Sequence, residues 1–433
     1  MKLNKRVVSK THEGALAAQA NPFQELQRTV LTCMLWENSF YEDGQSVAGR
    51  IQKLVPQVSS QMVASLAIQA REEMKLRHVP LLIVREMARH DGHKSHVSDT
   101  LERIIQRPDE MAEFLAIYWN DGRQPLSAQV KKGLARAFVK FNEYQLAKYD
   151  RSGRVKLKDV LFLCHAKPKN KDQEAMWGRL ISGNLASPET WENQLSAGKD
   201  KRQVWESMLA ENKLGALALI RNLRNMEEAG VSENLIFDAL ENIRAERVLP
   251  FRFISAAKHA PQWEPQIESA MLKCLAGREK LAGRTVLLVD VSGSMNTSIS
   301  SNSELMRFDA ANGLAILARE LCEYVEIFSF SSNLVRVPPR RGFALRDAIA
   351  SSQPHMMTAM GAAISEINKY LEYDRIIVLT DEQAGDVVPD PTATGYIINV
   401  AAYKNGVGYG KWTTISGWSE AVFDYITALE SNG

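Results

Sequence analysis

Apolar residues recur at helical spacing through most of the first two thirds of the chain. In "QMVASLAIQAREEM", Met62, Leu66, Ala70 and Met74 return at every fourth position, as one face of a helix would require. "KLGALALIRNLRNM" repeats the pattern with Leu214, Leu217, Ile220, Leu223 and Met226. Gly or Pro interrupts it at intervals, among others at Gly44, Pro56, Pro80, Pro108, Gly153, Pro188, Gly230 and Pro250. The pattern predicts an all-α region from about Pro22 to Leu275, built from helices of roughly 10–18 residues. So many helices cannot share one core, but stacked helix pairs can, because each pair buries its apolar face on its neighbours. No fixed repeat period is visible, so the expectation is a loose, HEAT-like solenoid.

Past Gly283 the pattern changes. "TVLLVDV", "VEIFSF", "RIIVLT" and "YIINVA" are short, nearly continuous apolar runs, and helical stretches separate them at 304–322, 343–351, 359–371 and 419–430. Apolar strands alternating with helices predict a parallel sheet covered on both faces, a doubly wound α/β domain. The expected architecture is therefore multidomain, with an all-α HEAT-like helical-repeat domain over 1–282 and an α/β domain over 283–433.

The first of these strands ends in an unusual way. "TVLLVDVSGSMNTS" runs four apolar residues into Asp290, then Ser292, Gly293 and Ser294. In an open α/β sheet, ligands bind at the carboxyl ends of the strands, near the point where strand order reverses. Alternate residues of an extended segment point the same way, so Asp290, Ser292 and Ser294 can converge while Gly293 allows the turn. One carboxylate with hydroxyls is a hard-oxygen set suited to Mg²⁺, Mn²⁺ or Ca²⁺. Asp381, at the end of "RIIVLTD", and Thr358, before a predicted helix, would complete it. No phosphate loop and no G-x-S-x-G elbow occurs. The plain alternative is a strand-to-helix turn with serine caps. Together, Asp290, Ser292, Ser294, Thr358 and Asp381 resemble the metal-ion-dependent adhesion site of von Willebrand factor A-type domains. The resemblance implies one divalent cation, Mg²⁺ first among the three. It also implies a coordination position that a partner's carboxylate fills, and binding rather than catalysis.

Charge is segregated along the chain. The net charge is +2, yet the stretch Arg123 to Arg179 carries 14 Lys and Arg against 5 Asp and Glu. Residues 283–433 hold 11 basic against 17 acidic residues. Such segregation is the footprint expected of a polyanion-binding surface, nucleic acid above all, against the plain reading of a solvated face. The candidate contacts are Arg123, Lys132, Arg136, Lys148, Arg151, Arg154, Lys156, His165 and Lys167. For His165 alone, a helix cap or a packed side chain is the simpler reading.

The helical region carries a second resemblance. "LTCMLWENSFYEDG", "KLRHVPLLIVREM", "FNEYQLAKY", "LKDVLFLCHAKP", "ALIRNLRNM" and "RVLPFRFISAA" resemble the TROVE module of the Ro ribonucleoproteins. There a HEAT-like helical ring precedes a von Willebrand factor A-type domain, the order expected here. The resemblance implies binding of small noncoding RNA, a Y or Y-like RNA, on a basic outer surface, where a Lys and a His match Lys148 and His165. It also implies passage of misfolded or 3′ single-stranded RNA through the ring, and an exoribonuclease as a partner. A further basic residue of that surface has no identical match; Ser152 falls there, between Arg151 and Arg154. The length suggests a compact bacterial or phage form.

Two other readings compete: a metal-dependent protein-interaction scaffold without RNA, and a divalent-metal nuclease. The second is disfavoured, because a two-metal site needs clustered carboxylates and this one is mostly hydroxyl. Cys33, Cys164, Cys274 and Cys322 lie in apolar stretches without metal-ligand or redox spacing. With no secretory pattern at the start and no run of about 18 apolar residues, the expectation is a cytoplasmic, monomeric protein that makes no membrane contact.

Overall fold

The computed structural model describes residues 9–150, 153–186, 191–196, 198–244, 248, 250–419 and 421–431. By compactness the chain divides into one unit of Asn21–Trp36 with Gln45–Ala197, and another of Met1–Ala20, Glu37–Gly44 and Gly198–Gly433.

The first unit is entirely helical, and its helices stack in alternation. Ser60–Glu72 packs on Lys94–Ile104, which packs on Ala128–Phe138, which packs on Leu157–Cys164. His78–Arg89 packs in the same way on Asp109–Tyr118. Contact with the helix two places on is the arrangement of a helical repeat, as the apolar pattern predicts. The faces differ in detail from that pattern. Ser60–Glu72 buries Val63, Ala64, Leu66, Ala67 and Ala70, while Met62 is exposed and Met74 lies past the helix end. A strict every-fourth series drifts about 40° around a 3.6-residue helix at each step, so it leaves the buried face after two or three residues. Arg71 and Glu110 join two of these helices in the interior. Arg71 Nη2 donates to Glu110 Oε1 at 2.6 Å, and the backbone N–H groups of Gln106 and Arg107 donate to Oε2 at 2.8 and 3.0 Å.

In the second unit the alternation continues. Lys201–Ala210 packs on Glu233–Glu241 and that on Glu264–Leu275, while Ala216–Glu228 packs on Pro250–His259. Ala216–Glu228 buries Leu219, Ile220, Leu223 and Met226, but Leu217 is exposed. The sheet follows with strands β1 (Leu281–Asp290), β2 (Cys322–Phe330), β3 (Leu334–Arg336), β4 (Arg375–Thr380), β5 (Thr394–Asn399) and β6 (Trp412–Ser416). Their order is β3-β2-β1-β4-β5-β6, parallel except for β2 with β3. β1 begins at Leu281, and its register shifts before Arg284, where Gly283 takes a φ of +82°. Val286, Leu288, Ile376 and Val378 pack against Met360, Ile364 and Ile367 of helix Met360–Tyr370. The alternating Leu287, Val289, Ile377 and Leu379 are equally buried, and helix Arg307–Leu321 packs on β1 and β4. The sheet is thus covered on both faces, the doubly wound arrangement expected. No helix among the described residues is long and apolar enough to cross a membrane.

Candidate metal centre and nucleic-acid interface

Strand order reverses between β1 and β4, and the two aspartates stand there. Val289 pairs with Leu379, so Asp290 and the Thr380–Asp381 pair leave the sheet side by side. Asp290 accepts from the Ser292 N–H at 2.9 Å and from the Thr380 hydroxyl at 2.6 Å. The Ser292 and Ser294 hydroxyls are 3.3 Å apart. Gly293 N–H donates to the Met356 carbonyl, and Gly385 N–H donates to the Thr358 carbonyl, both at 3.0 Å. Three loops far apart in sequence are thereby tied into one cluster. Asp290, Ser292, Thr358 and Asp381 are buried and Ser294 is half-buried.

Burial, and then the charge of Asp381, push the Asp290 carboxyl up to about 7. Two buried carboxylates with hydroxyls around them form a donor set that fits a hard divalent cation, which would relieve their repulsion. Among the described residues no cluster of three or more His, Cys, Asp or Glu side chains could hold a metal, so any ion here would rely on hydroxyls.

Two further residues reach the same carboxylate. The Tyr41 hydroxyl donates to Asp381 Oδ2 at 2.5 Å and is also hydrogen-bonded to the Ser294 side chain. Arg307 Nη1 donates to Asp381 Oδ2 at 3.1 Å and to the Ser294 carbonyl at 3.3 Å. The Arg307 guanidinium lies 4.4 Å from the centre of the Tyr41 ring and 5.6 Å from that of Phe40. Burial and the Asp381 charge raise the Tyr41 pKa, which keeps the phenol a donor. The segment bearing Tyr41 is held in place: Tyr403 and His12 pack against the ring at 5.0 and 5.2 Å. The His12 N–H donates to Gln383 Oε1 at 2.7 Å, and the Thr11 hydroxyl donates to the Ala384 carbonyl at 2.8 Å. Glu382, next to Asp381, sits at a φ of +59°, a conformation that non-glycine residues adopt at a cost of about 1–2 kcal/mol. Sequence reasoning missed Tyr41 and Arg307. The "WENSFYEDG" stretch was visible as a motif, but nothing local links it to a strand end 340 residues later.

The described basic candidates belong to the first unit: Lys132 and Arg136 on helix Ala128–Phe138, Lys148 on Glu143–Tyr149, and Arg123, Arg154, Lys156, His165 and Lys167 in loops and caps. Lys148 is in the last turn of Glu143–Tyr149, and its ammonium is 5.9 Å from the centre of the Tyr149 ring. Lys156 and His165 cap the two ends of Leu157–Cys164, His165 in the left-handed conformation at a φ of 54°. Both are exposed, as are Lys132, Arg154 and Lys167. Arg136 pairs with Asp99 at 2.6 Å and Glu102 at 3.5 Å, so its charge is partly answered within the fold. Arg151 lies outside the described residues. Arg123 and Arg154 line one cleft of about 730 Å³ with Trp119, Asp159 and Phe162. The Arg123 guanidinium stands 5.2 Å from the centre of the Trp119 ring, and Phe162 is 58% exposed. Aromatic rings beside guanidinium groups suit stacked bases and phosphates.

The fold defines a class: a helical-repeat region followed by a von Willebrand factor A-like α/β domain, with carboxylates and hydroxyls clustered where its strand order reverses. Residues 177–295 match the TROVE domain. Among curated proteins, the chain is 21% identical over 299 residues to Telomerase protein component 1 of Rattus norvegicus, covering 48% of this chain and 11% of that one. It is 23% identical over 291 residues to the RNA-binding protein RO60 of Caenorhabditis elegans, covering 60% and 44% respectively. The chain thus spans less than half the length of these relatives. The structure of the Deinococcus radiodurans RO (RSR) protein shares the fold with a TM-score of 0.62 at 17% identity, over 94% of this chain and 99% of that one. The chain therefore carries a TROVE-domain match over 177–295 and is similar in sequence and in fold to Ro proteins.

Proposed function

We propose that the chain is a non-catalytic RNA-binding protein of a Ro ribonucleoprotein, working in the stabilisation, quality control or processing of noncoding RNA. The observation that carries this is the surplus of cations over Arg123–Arg179, set on helices and loops of one unit in a chain similar to Ro proteins. A small structured RNA, Y or Y-like, lies on that basic face. Misfolded or 3′ single-stranded RNA is taken separately, through a ring closed by the helical repeats. An exoribonuclease is the partner that the resemblance to Ro proteins implies, and the cytoplasm is the expected compartment. Replacing Lys148 and His165 by Gln should weaken binding to a structured hairpin by roughly 1–3 kcal/mol and flatten its salt dependence, with a smaller effect on an unstructured oligonucleotide. Gel shifts at several salt concentrations test this. Equal affinity of wild type and variant for both RNAs would remove the basic face from the reading.

The same proposal includes one divalent ion, Mg²⁺ before Mn²⁺ or Ca²⁺, held by Asp290, Ser292, Ser294, Thr358 and Asp381. Such an ion supplies a Lewis-acidic position for a carboxylate of a protein partner. Asp290 and Asp381 provide charge, the hydroxyls provide neutral oxygens, and Tyr41 and Arg307 govern access to Asp381.

A further inference from the structure

A second cationic site lies away from the basic stretch. Helices Ala216–Glu228 and Pro250–His259 pack on each other, and the loop at 302–305 joins them in lining a cavity of about 410 Å³. Arg221, Arg224, Arg252, Asn225, Ser255 and His259 line it from the two helices. Arg224 is paired with Glu228 at 3.5 Å, and His259 with Glu304 at 3.0 Å. Among the described residues, neither Arg221 nor Arg252 has a carboxylate partner. Arg252 is half-buried, and its guanidinium is 5.0 Å from the centre of the Phe251 ring. Burial, then the nearby charge of Arg221, lowers its pKa.

A fold gains nothing by bringing two like charges together and withdrawing one of them from water. The arrangement is stabilised when an anion completes it. The lining offers donors of the right kind: two guanidinium forks that bind phosphate bidentately, an amide and a hydroxyl. We infer that this cavity is a phosphate-binding site, and that its phosphate belongs to the backbone of a bound RNA. The inference rests on the RNA-binding reading, but it uses helices and residues that the basic face does not.

The test uses the full chain and three proteins: wild type, R252Q and R221Q/R252Q. The probes are an unstructured oligoribonucleotide across a salt series, and inorganic phosphate alone in a thermal melt. The double variant should lose about 10- to 100-fold in oligoribonucleotide affinity, as expected for lost charge-assisted hydrogen bonds. Its salt slope should fall by roughly 0.7–1.4, the loss of one or two single-strand phosphate contacts. Inorganic phosphate should raise the melting temperature of wild type and not that of the double variant. R252Q should melt no lower than wild type without ligand, because it removes an uncompensated guanidinium; a purely structural role predicts the opposite. If wild type binds RNA and the double variant matches it in affinity, slope and phosphate response, the inference is overturned and the RNA reading stands. If wild type binds no RNA, the RNA reading fails. A phosphate-dependent melt abolished in the double variant would then keep the site and assign it to free phosphate.

Discussion

Replacing Tyr41 by Phe removes one oxygen and should move two measurements in opposite directions. Its hydroxyl donates to a fully buried carboxylate at 2.5 Å, and a hydrogen bond to a buried charge contributes about 1.5–3 kcal/mol. Asp381 keeps its bonds from Arg307 and from the Gln383 N–H, so the variant retains its ion pair. Without divalent ions, the second unit should therefore lose about 1.5–3 kcal/mol, or about 3–6 °C in its melting transition for a unit of this size. An ion drawn to Asp381 and Ser294 must displace the same hydroxyl, so the loaded state does not share the loss. Linkage then tightens ion binding by the same free energy, about 10- to 100-fold. Titration calorimetry with Mn²⁺ or Mg²⁺, alongside melting in chelator, measures both. A melting temperature that falls while the ion affinity stays the same would refute the argument, because the tyrosine would then remain bonded in the loaded state. Weaker ion binding in the variant would make Tyr41 a supporting partner of the ion rather than its competitor.

Asp290→Ala should weaken divalent-ion binding while leaving RNA affinity within about threefold, since this cluster and the basic candidates belong to different units; circular dichroism in chelator should show the apo variant folded, because one of two repelling buried carboxylates is gone. Glu110→Ala leaves Arg71 buried without its partner and should cost about 3–5 kcal/mol in urea unfolding of the first unit, with Glu110→Gln costing less. Iodoacetamide at neutral pH should modify Cys274, which is half-buried, before the three buried cysteines. Burial pushes the Cys33 thiol up to about 12 and that of Cys164 up to about 11, so both should react only on unfolding, as mass spectrometry of the labelled peptides can check.

The parts of this molecule that could be read from its residues are those governed by local pattern. β1 and β4 are continuous apolar runs because both faces of the central sheet are covered, and such a run can be seen without knowing its neighbours. β6 escaped notice because Thr413 and Thr414 lie half-exposed at a sheet edge, and β3 because three residues make too short a signal. Asp290, Ser292 and Ser294 were legible for a similar reason: their convergence follows from one turn. Tyr41 and Arg307 were not, since each meets Asp381 only through packing of distant segments. Arg221 and Arg252 were missed differently. A charge count sums along the chain, whereas their proximity comes from two helices lying side by side.

The bond from Tyr41 to Asp381 also has a consequence in time. The two residues are separated by 340 positions, and a ribosome adding about 5–20 residues per second takes roughly 20–70 s to cover that distance. Throughout that interval the Phe40–Tyr41 segment has been made, but the strand end it will rest on has not. The Phe40–Tyr41 segment must therefore wait for a strand end made 340 positions later, and its aromatic rings are available meanwhile to chaperones or to neighbouring nascent chains. Folding of the second unit cannot be completed before β4 is made, and a chain halted before β4 would display that segment permanently.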